Sequence, residues 1–447
     1  MSRTVAVVGA GAAGLTAALR AAEAGARVVL LNAHSKIGLK ILMSGGTRCN
    51  VTHREVEARD YHGGSRHVVA RILRAFPPEA TRAWFESLSV PLVLEQTGKY
   101  FPASNDAQTV LDALLGACER AGVEVLVGAR VVRMERVGAD ATAAGSAREG
   151  VGPRWRLGIQ SMSGSADFSA AAHAFGESSW PLPATTPERW LESGAVVLAT
   201  GGLSFPRTGS DGTGYALAAA LGHTIVLPVP ALTPLTAADP LCSQLQGLAL
   251  EVELTLVVGG KRDQAVRGSL LFTHFGYSGP AALDLSRSWL RAEGQGERAV
   301  LVSFAPGETR EGLLATWGRE AAAEPRLLVR HWLARRLPDR LAVALCSEAG
   351  VDAAALASQL DRARRVTLIE RVCARPLPVG GTLGYEKAEV TAGGVALDEV
   401  DASTLESRKA RGVYLCGEML DVDGRIGGFN FQWAWSSGTV AGRVALR

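Results

Sequence analysis

The sequence is short of the features that mark many protein classes at sight. Its six cysteines, at positions 49, 118, 242, 346, 373 and 416, form no Cys-x-x-Cys pair. A zinc ribbon or a disulfide framework is therefore not expected, and a reducing, cytoplasmic setting is. No run reaches the roughly 18 uninterrupted apolar residues of a membrane-spanning helix. Neither sign of charge dominates: 47 Lys and Arg against 44 Asp and Glu leave a formal +3 in 447 residues. The basic residues are dispersed among acids, so composition makes no electrostatic case for nucleic acid. A hydrophobic fraction of 47% excludes a mostly disordered chain. The expected partner is a small molecule, and nothing here reads as an oligomeric state.

Glycine is in excess, with 51 residues and no collagen period. Such glycines mark turns and places where backbone approaches a ligand. Arg3 followed by the uncharged stretch Thr4–Leu19 looks at first like a signal peptide. The stretch divides instead into a strand over 4–8, a glycine cluster and a helix over 12–24 that continues past Arg20 and Glu23. A second strand follows over 28–31. Further on, a helical rhythm covers 66–88 and a helix covers 108–121, with a strand at 123–127. A strand over 130–135 has Trp155–Ile159 as its hairpin partner, and Val196–Ala199 is another buried strand. Alternation from about 221 to 304 predicts antiparallel sheet, and 308–370 has a helical texture. Val413–Leu415 reads as a strand and Ala434–Val444 as a helix. Two connections rich in Ala, Gly and Ser, one before Trp155 and one over Met162–Thr186, predict peripheral loops.

Gly9, Gly11 and Gly14 form G-A-G-A-A-G between the first strand and the first helix. The first glycine makes the tight turn, the second admits a pyrophosphate, and the third lets helix pack on strand. The amides around Ala12 and Ala13 then offer hydrogens and the positive end of the helix dipole. The acid expected at the end of the second strand is replaced by Asn32, which hydrogen-bonds a ribose without the charge assistance of a carboxylate.

Two further clusters share this logic. In the first, Lys40 precedes Ser44-Gly45-Gly46-Thr47-Arg48-Cys49-Asn50. Small residues there permit close approach, while Lys40 and Arg48 supply positive charge for a phosphate or an electron-rich ring. Cys49 reads as either a packed thiol or a redox thiol. In the second, Gly417-Glu418 follows a strand, then come Asp421, Asp423, Gly424, Gly427, Gly428, Asn430 and a helix with Trp433 and Trp435. Glu418, Asp421 and Asp423 lack His or Cys partners, so hydrogen bonds to sugar-like hydroxyls are expected there and no metal.

The N-terminal fingerprint, SGGTRCN at 44–50, GGLSFPRTGSDGTGY at 201–215, LFTHFGYSGPA at 271–281, VTAGGV at 390–395 and GEMLDVDGRIGGFNFQWAWSSG at 417–438 together resemble the YhiN/BaiN-type flavoproteins. These belong to the two-dinucleotide-binding flavoproteins, and the blocks span nearly the whole chain. The resemblance implies an α/β fold: a Rossmann-like FAD-binding domain split across both chain ends, with an inserted β-barrel-like domain and a small helical insert. Its segments would be 1–219 and 385–447 for the FAD domain, 220–306 and 371–384 for the barrel-like domain, and 307–370 for the helical insert. It further implies that Gly9, Gly11, Ala12, Ala13 and Gly14 hold the FAD pyrophosphate, and that Lys40, Ser44, Gly45, Gly46, Arg48, Cys49 and Asn50 line the flavin side. Val131 would meet adenine, Thr200 and Gly201 would close over the cofactor, and Gly417 and Glu418 would touch the ribityl chain. Asp423 belongs to the same C-terminal block, where Gly427, Gly428 and Asn430 would approach the isoalloxazine ring. The sequence departs from the family pattern at Asn32, at Leu39 in place of Arg, at Thr47 in place of a third glycine, and in a longer insertion around 160–186.

With FAD bound, the implied reaction is reduction by NADH or NADPH followed by hydride delivery from flavin N5 to an electron-poor double bond. One branch resembled here reduces conjugated double bonds in oxo-steroid bile-acid intermediates. No second dinucleotide fingerprint follows a strand, so the nicotinamide would be a transient reductant. His274 and Tyr277 in the 271–281 block are the candidates to protonate or bind the substrate carbonyl. A flavin-binding redox sensor without multiple turnover is the alternative. An RNA-modifying flavoprotein is more remote, given the scattered charge.

Overall fold

The computed structural model describes residues 4–137, 154–162 and 179–445. Much of both expected Ala/Gly/Ser-rich loops, residues 138–153 and 163–178, lies outside the described residues. The chain divides into two compact units, Met1–Pro230 with Glu389–Arg447, and Ala231–Ala388. The fold is α/β and Rossmann-like, with mixed sheets and helical inserts.

In the first unit, short runs of Val, Leu and Ala are buried on both faces and so form a parallel sheet. Its strand order is Val413–Leu415, Ala195–Leu198, Thr4–Val8, Arg27–Asn32 and Glu124–Val127. Val5 stands opposite Ala195 on one side and Val28 on the other. The C-terminal strand therefore completes a sheet begun by the N-terminus. An antiparallel sheet follows, in which Ala129–Val137 pairs with Arg154–Ser161 and that strand with Arg189–Ser193. Val131 lies opposite Ile159, as the expected hairpin requires.

The helical rhythm over 66–88 resolves into two helices, Arg66–Ala75 and Pro78–Ser87. Pro77 disfavours helical backbone at Phe76, and Pro78 suits a first helical turn, which explains the break. The last helix, Phe429–Val444, starts five residues before the expected Ala434 because Gly428, with φ of 94°, turns the chain into it.

That helix crosses helix Ala12–Glu23 at backbone distance. A Cβ placed on Gly438 would lie 2.5 Å from the Ala13 carbonyl oxygen, and one on Gly442 would lie 2.4 Å from that of Ala17. The helix is also tied to N-terminal segments through a buried amide. The Gln432 Oε1 accepts from Thr52 Oγ1 at 2.6 Å and Thr81 Oγ1 at 3.0 Å, while its Nε2 donates to the Phe76 carbonyl and to Ser436 Oγ. Trp435 Nε1 donates to the Val51 carbonyl at 2.9 Å.

The second unit is built on a seven-stranded antiparallel sheet. Its order is Arg375–Leu377, Arg298–Ser303, Ala249–Val258, Lys261–Thr273, Gly276–Ser278, Leu235–Ala237 and Val379–Thr382. The two outermost strands are neighbours in the chain, separated by Pro378. One apolar cluster runs from Leu254 and Phe272 in the sheet to Trp317, Trp332 and Leu368 in the helices, so sheet and helical segments share a core. Helix Pro280–Arg291, which no sequence signal had marked, covers one face. Within this core Arg375 pairs with Asp239 at 2.7 Å and with Glu348 at 2.7 Å. Burial raises the Asp239 carboxyl, but bonds from Arg375, Tyr277 and the Leu241 amide outweigh it and hold the group below its ordinary value.

Gly442→Ala is expected to destabilise the protein by about 1–3 kcal/mol in chemical denaturation. Overpacking against the Ala17 carbonyl outweighs the ~1 kcal/mol of helix propensity gained. Unchanged or raised stability would show that the two helices separate without cost.

Candidate functional site

The N-terminal turn has the geometry that its glycines demand. Gly9 has φ of +103°, and a Cβ there would lie 2.5 Å from the Ala199 carbonyl oxygen. A Cβ on Gly14 would lie 1.8 Å from the Gly9 oxygen, so helix and turn pack with no room for a side chain. Gly11 is the opposite case: nothing lies within 4 Å of a Cβ built there. It caps the helix without any side-chain hydrogen bond, so no capping side chain takes the first-turn amides around Ala12 and Ala13. Close fit at Gly9 and Gly14 with open space at Gly11 forms a cradle suited to a pyrophosphate. The C-terminal block meets it directly. A Cβ on Gly417 would lie 2.7 Å from that of Ala13, and the Gly417 amide donates to Ser437 Oγ at 3.0 Å.

Asn32 stands at the end of its strand as expected, but its side chain is committed elsewhere. Its Oδ1 accepts from the Ala10 amide at 3.2 Å, and its Nδ2 donates to the carbonyls of His34 at 2.7 Å and Lys36 at 3.0 Å. Both amide hydrogens are spent on the loop, so Asn32 acts here as a brace for residues 32–36.

The segment from Lys40 to Asn50 leaves its helix at Ser44. Gly45, Gly46 and Thr47 follow with φ of 57°, 67° and 68°. A β-branched Thr is costly in this left-handed region, where the family pattern has glycine. Cys49 is fully buried, and burial pushes its thiol up to about 12 against a hydrogen bond from Ser44. That answers the open question about Cys49 in favour of packing. The Arg48 guanidinium lies 3.9 Å from the Phe101 ring centre and pairs with Glu95 at 2.7 Å. Asn50 is 8% exposed, and its Oδ1 is buried with no hydrogen-bond partner. A Cβ on Gly428 would lie 2.8 Å from that oxygen, and one on Gly45 would lie 3.0 Å from the Asn50 amide nitrogen. An orphaned buried acceptor beside two left-handed glycines is a site with an unmet hydrogen-bond demand.

Lys40 Nζ donates to Ser204 Oγ and to Glu418 Oε2, each at 2.8 Å. Ser204 Oγ donates to Glu418 Oε1 at 2.7 Å, and the Thr391 amide donates to the same oxygen at 3.0 Å. Ser204 and Thr391 lie in blocks that the sequence marked, yet neither had been singled out. Thr200 Oγ1 would lie 1.8 Å from a Cβ on Gly214, so strand end and following helix are in close contact. Beside Val131, Arg130 donates to Asp211 and Thr213, both at 2.6 Å, and Asp211 Oδ1 accepts from the Thr213 amide. The first amide of helix Thr213–Ala220 is thus taken by a paired carboxylate. Asp423 is buried in a strand paired with Tyr61–Gly63. Asn430 exchanges two hydrogen bonds with the backbone of Gly424, at 2.8 and 2.9 Å, and so holds the turn containing Gly427 and Gly428.

His274 and Tyr277 belong to the second unit. His274 is exposed at the turn between strands Lys261–Thr273 and Gly276–Ser278. The Tyr277 side chain is fully buried, its hydroxyl donates to Asp239, and burial raises its proton affinity well above the ordinary value. Among the described residues no group of His, Cys, Asp and Glu has the makings of a metal site. No described helix is long and apolar enough to cross a membrane.

Residues 3–149 and 177–444 match the HI0933-like protein Rossmann domain. Over 444 residues, 99% of this chain and 98% of the relative, the sequence is 30% identical to 3-dehydro-bile acid delta(4,6)-reductase of Clostridium scindens. It is 30% identical over 433 residues to the ribosomal RNA dihydrouridine synthase of Haemophilus influenzae, covering 96% of this chain and 95% of that one. It is 31% identical over 431 residues to the ribosomal RNA dihydrouridine synthase of Escherichia coli, with the same two coverages. The dinucleotide cradle together with these full-length relatives defines a flavin-dependent oxidoreductase. The chain belongs to the HI0933-like family, the YhiN/BaiN-type FAD/NAD(P)-binding oxidoreductases.

Two outcomes follow from this geometry. Asn32→Asp, which places a carboxylate against two carbonyls, is expected to cost about 1–3 kcal/mol of stability and to leave FAD affinity no tighter; tighter FAD binding would show that position 32 faces the ribose. Peptide mapping after iodoacetamide treatment at pH 8 should find Cys49 unlabelled in the native chain and labelled once unfolded. Rapid native labelling would contradict its buried, high-pKa state.

Proposed function

We propose that this chain uses FAD and a transiently bound NADH or NADPH to reduce a carbon–carbon double bond conjugated to a carbonyl. The observation that carries the reading is convergence within one unit: the open cradle at Gly11, the unpartnered Asn50 oxygen beside Gly45 and Gly428, and the Lys40–Glu418 pair. The names of the relatives point to the same bond type. Dihydrouridine differs from uridine by two hydrogens across a ring double bond conjugated to a carbonyl, and a 3-dehydro delta(4) bile acid carries the same enone unit.

FAD supplies the hydride-transfer chemistry when bound. The chain's own residues bind and orient it. The amides after Gly11 receive the pyrophosphate, and the Asn32 and Asn430 side chains hold their loops in place. Asn50 offers an acceptor to an N–H of the ring system. For the proton that completes the reduction we assign the exposed His274 imidazole, with Tyr277 bracing its turn through Asp239. The inserted sheet would be barrel-like, a reading supported by edge strands joined through Pro378 alone.

Two of the relatives favour a second substrate, uridine within ribosomal RNA, against which stands the near-neutral charge of this chain. Anaerobic mixing with NADPH and then NADH, followed by a panel of steroid-like enones and RNA lacking dihydrouridine, separates the readings. Rapid flavin reduction and turnover on an enone are expected. Turnover on RNA alone would move the substrate to uridine. Slow reduction with no turnover on either would sink the reductase and favour a redox sensor.

A further inference from the structure

Lys40 and Glu418 are 378 positions apart in sequence and 2.8 Å apart in the fold. The pair lies at one end of the parallel sheet, the end that holds the Gly9–Gly14 turn. The Gly38 amide donates to the Ala10 carbonyl just before Lys40, and Gly201 lies two positions after Ala199, whose carbonyl packs on Gly9. A Cβ on Gly201 would lie 3.9 Å from Lys40 Nζ, so the ammonium borders the space that the glycine leaves open. Ligands of doubly wound sheets bind at this end of the strands.

The network around the pair has one direction. Thr391 Oγ1 accepts from the amides of Leu203 at 2.7 Å and Ser204 at 3.0 Å, which fixes Ser204. Ser204 then accepts from Lys40 and donates to Glu418, while the Thr391 amide donates to Glu418 as well. A Cβ on Gly202 would lie 2.4 Å from Thr391 Oγ1 and 2.9 Å from Glu418 Oε1, so the arrangement has no slack. The side chains of Lys40 and Glu418 are 23% and 17% exposed, enough to weaken solvent screening. Such pairs add little net stability once desolvation is counted, so three hydrogen bonds spent on one carboxylate need another reason.

We propose that Glu418, held by Ser204 and Thr391, is a positioning residue that fixes the Lys40 ammonium and offsets its charge, so that the pair sets the redox poise of the bound flavin. Reduction by two electrons and one proton adds one negative charge to the flavin. A fixed cation nearby favours that form and a fixed anion opposes it. The proposal rests on FAD binding at this site and is independent of the substrate chosen above.

The test is the midpoint potential of FAD bound to the full chain, titrated anaerobically with dithionite against a reference dye. Lys40→Met should shift the preference for reduced over oxidised FAD downward by about tenfold, ~30 mV for a two-electron couple. Glu418→Gln should shift it upward by a similar factor. Lys40→Arg and the double variant K40M/E418Q should each stay within about threefold of the parent protein. If K40M does not retain FAD, K40Q must show the downward shift. Single variants that move the potential in the same direction, or that lose FAD affinity with no shift in potential, would overturn the proposal. Failure of the parent protein to bind FAD would instead overturn the cofactor reading and this inference with it.

Discussion

The dinucleotide-binding unit depends on backbones being able to touch. Gly438 and Gly442 bring helix Phe429–Val444 against the carbonyls of Ala13 and Ala17, and Gly14 sets the same helix Ala12–Glu23 against Gly9. Each contact is made where a Cβ would collide. Gly9 in turn sits on Ala199, at the end of the next strand. Turn, helix, neighbouring strand and C-terminal helix are thereby fixed by close steric contact. The sheet order requires this, because the strand at Val413–Leu415 pairs beyond Ala195–Leu198 and the chain must return to complete the layer. Residues 231–388, which fold around their own core, are accommodated inside that return.

Polar side chains do a complementary job. Gln432, Asn32, Asn430 and Arg130 each satisfy backbone or side-chain partners that the main sheet ladders do not reach. Among the demands left in the same unit are the amides at the start of helix Ala12–Glu23, which no side chain caps, and the buried Asn50 oxygen. A buried polar group left unmet beside left-handed glycines is a place where a ligand can supply the partner. The charged Lys40–Glu418 pair lies in the same unit.

Much of this was legible in the sequence. The βαβ unit appears within a residue or so of its expected bounds because hydrophobic period and glycine spacing agree there. The broken helix at Phe76–Pro77 was masked by a continuous apolar rhythm, although the two prolines carried the signal. Positions 32 and 430 illustrate the harder limit. An Asn can serve a ligand or its own loop, and only the fold shows the loop taking both amide hydrogens of Asn32 and both a donor and an acceptor bond of Asn430. Tyr277 is similar, since its motif says nothing of Asp239, a residue 38 positions away. Ser204 and Thr391 were invisible as a pair because their link spans 187 positions and passes through a backbone amide.

The central proposal is one FAD held jointly by both ends of the chain. Its most direct measurement is the stoichiometry and visible spectrum of FAD bound to the purified, reconstituted protein. The result expected is one FAD per chain with flavin bands shifted from those of free FAD, and binding lost when Gly11 is replaced by Val. Absence of bound flavin after reconstitution, or undiminished binding in Gly11→Val, would contradict it.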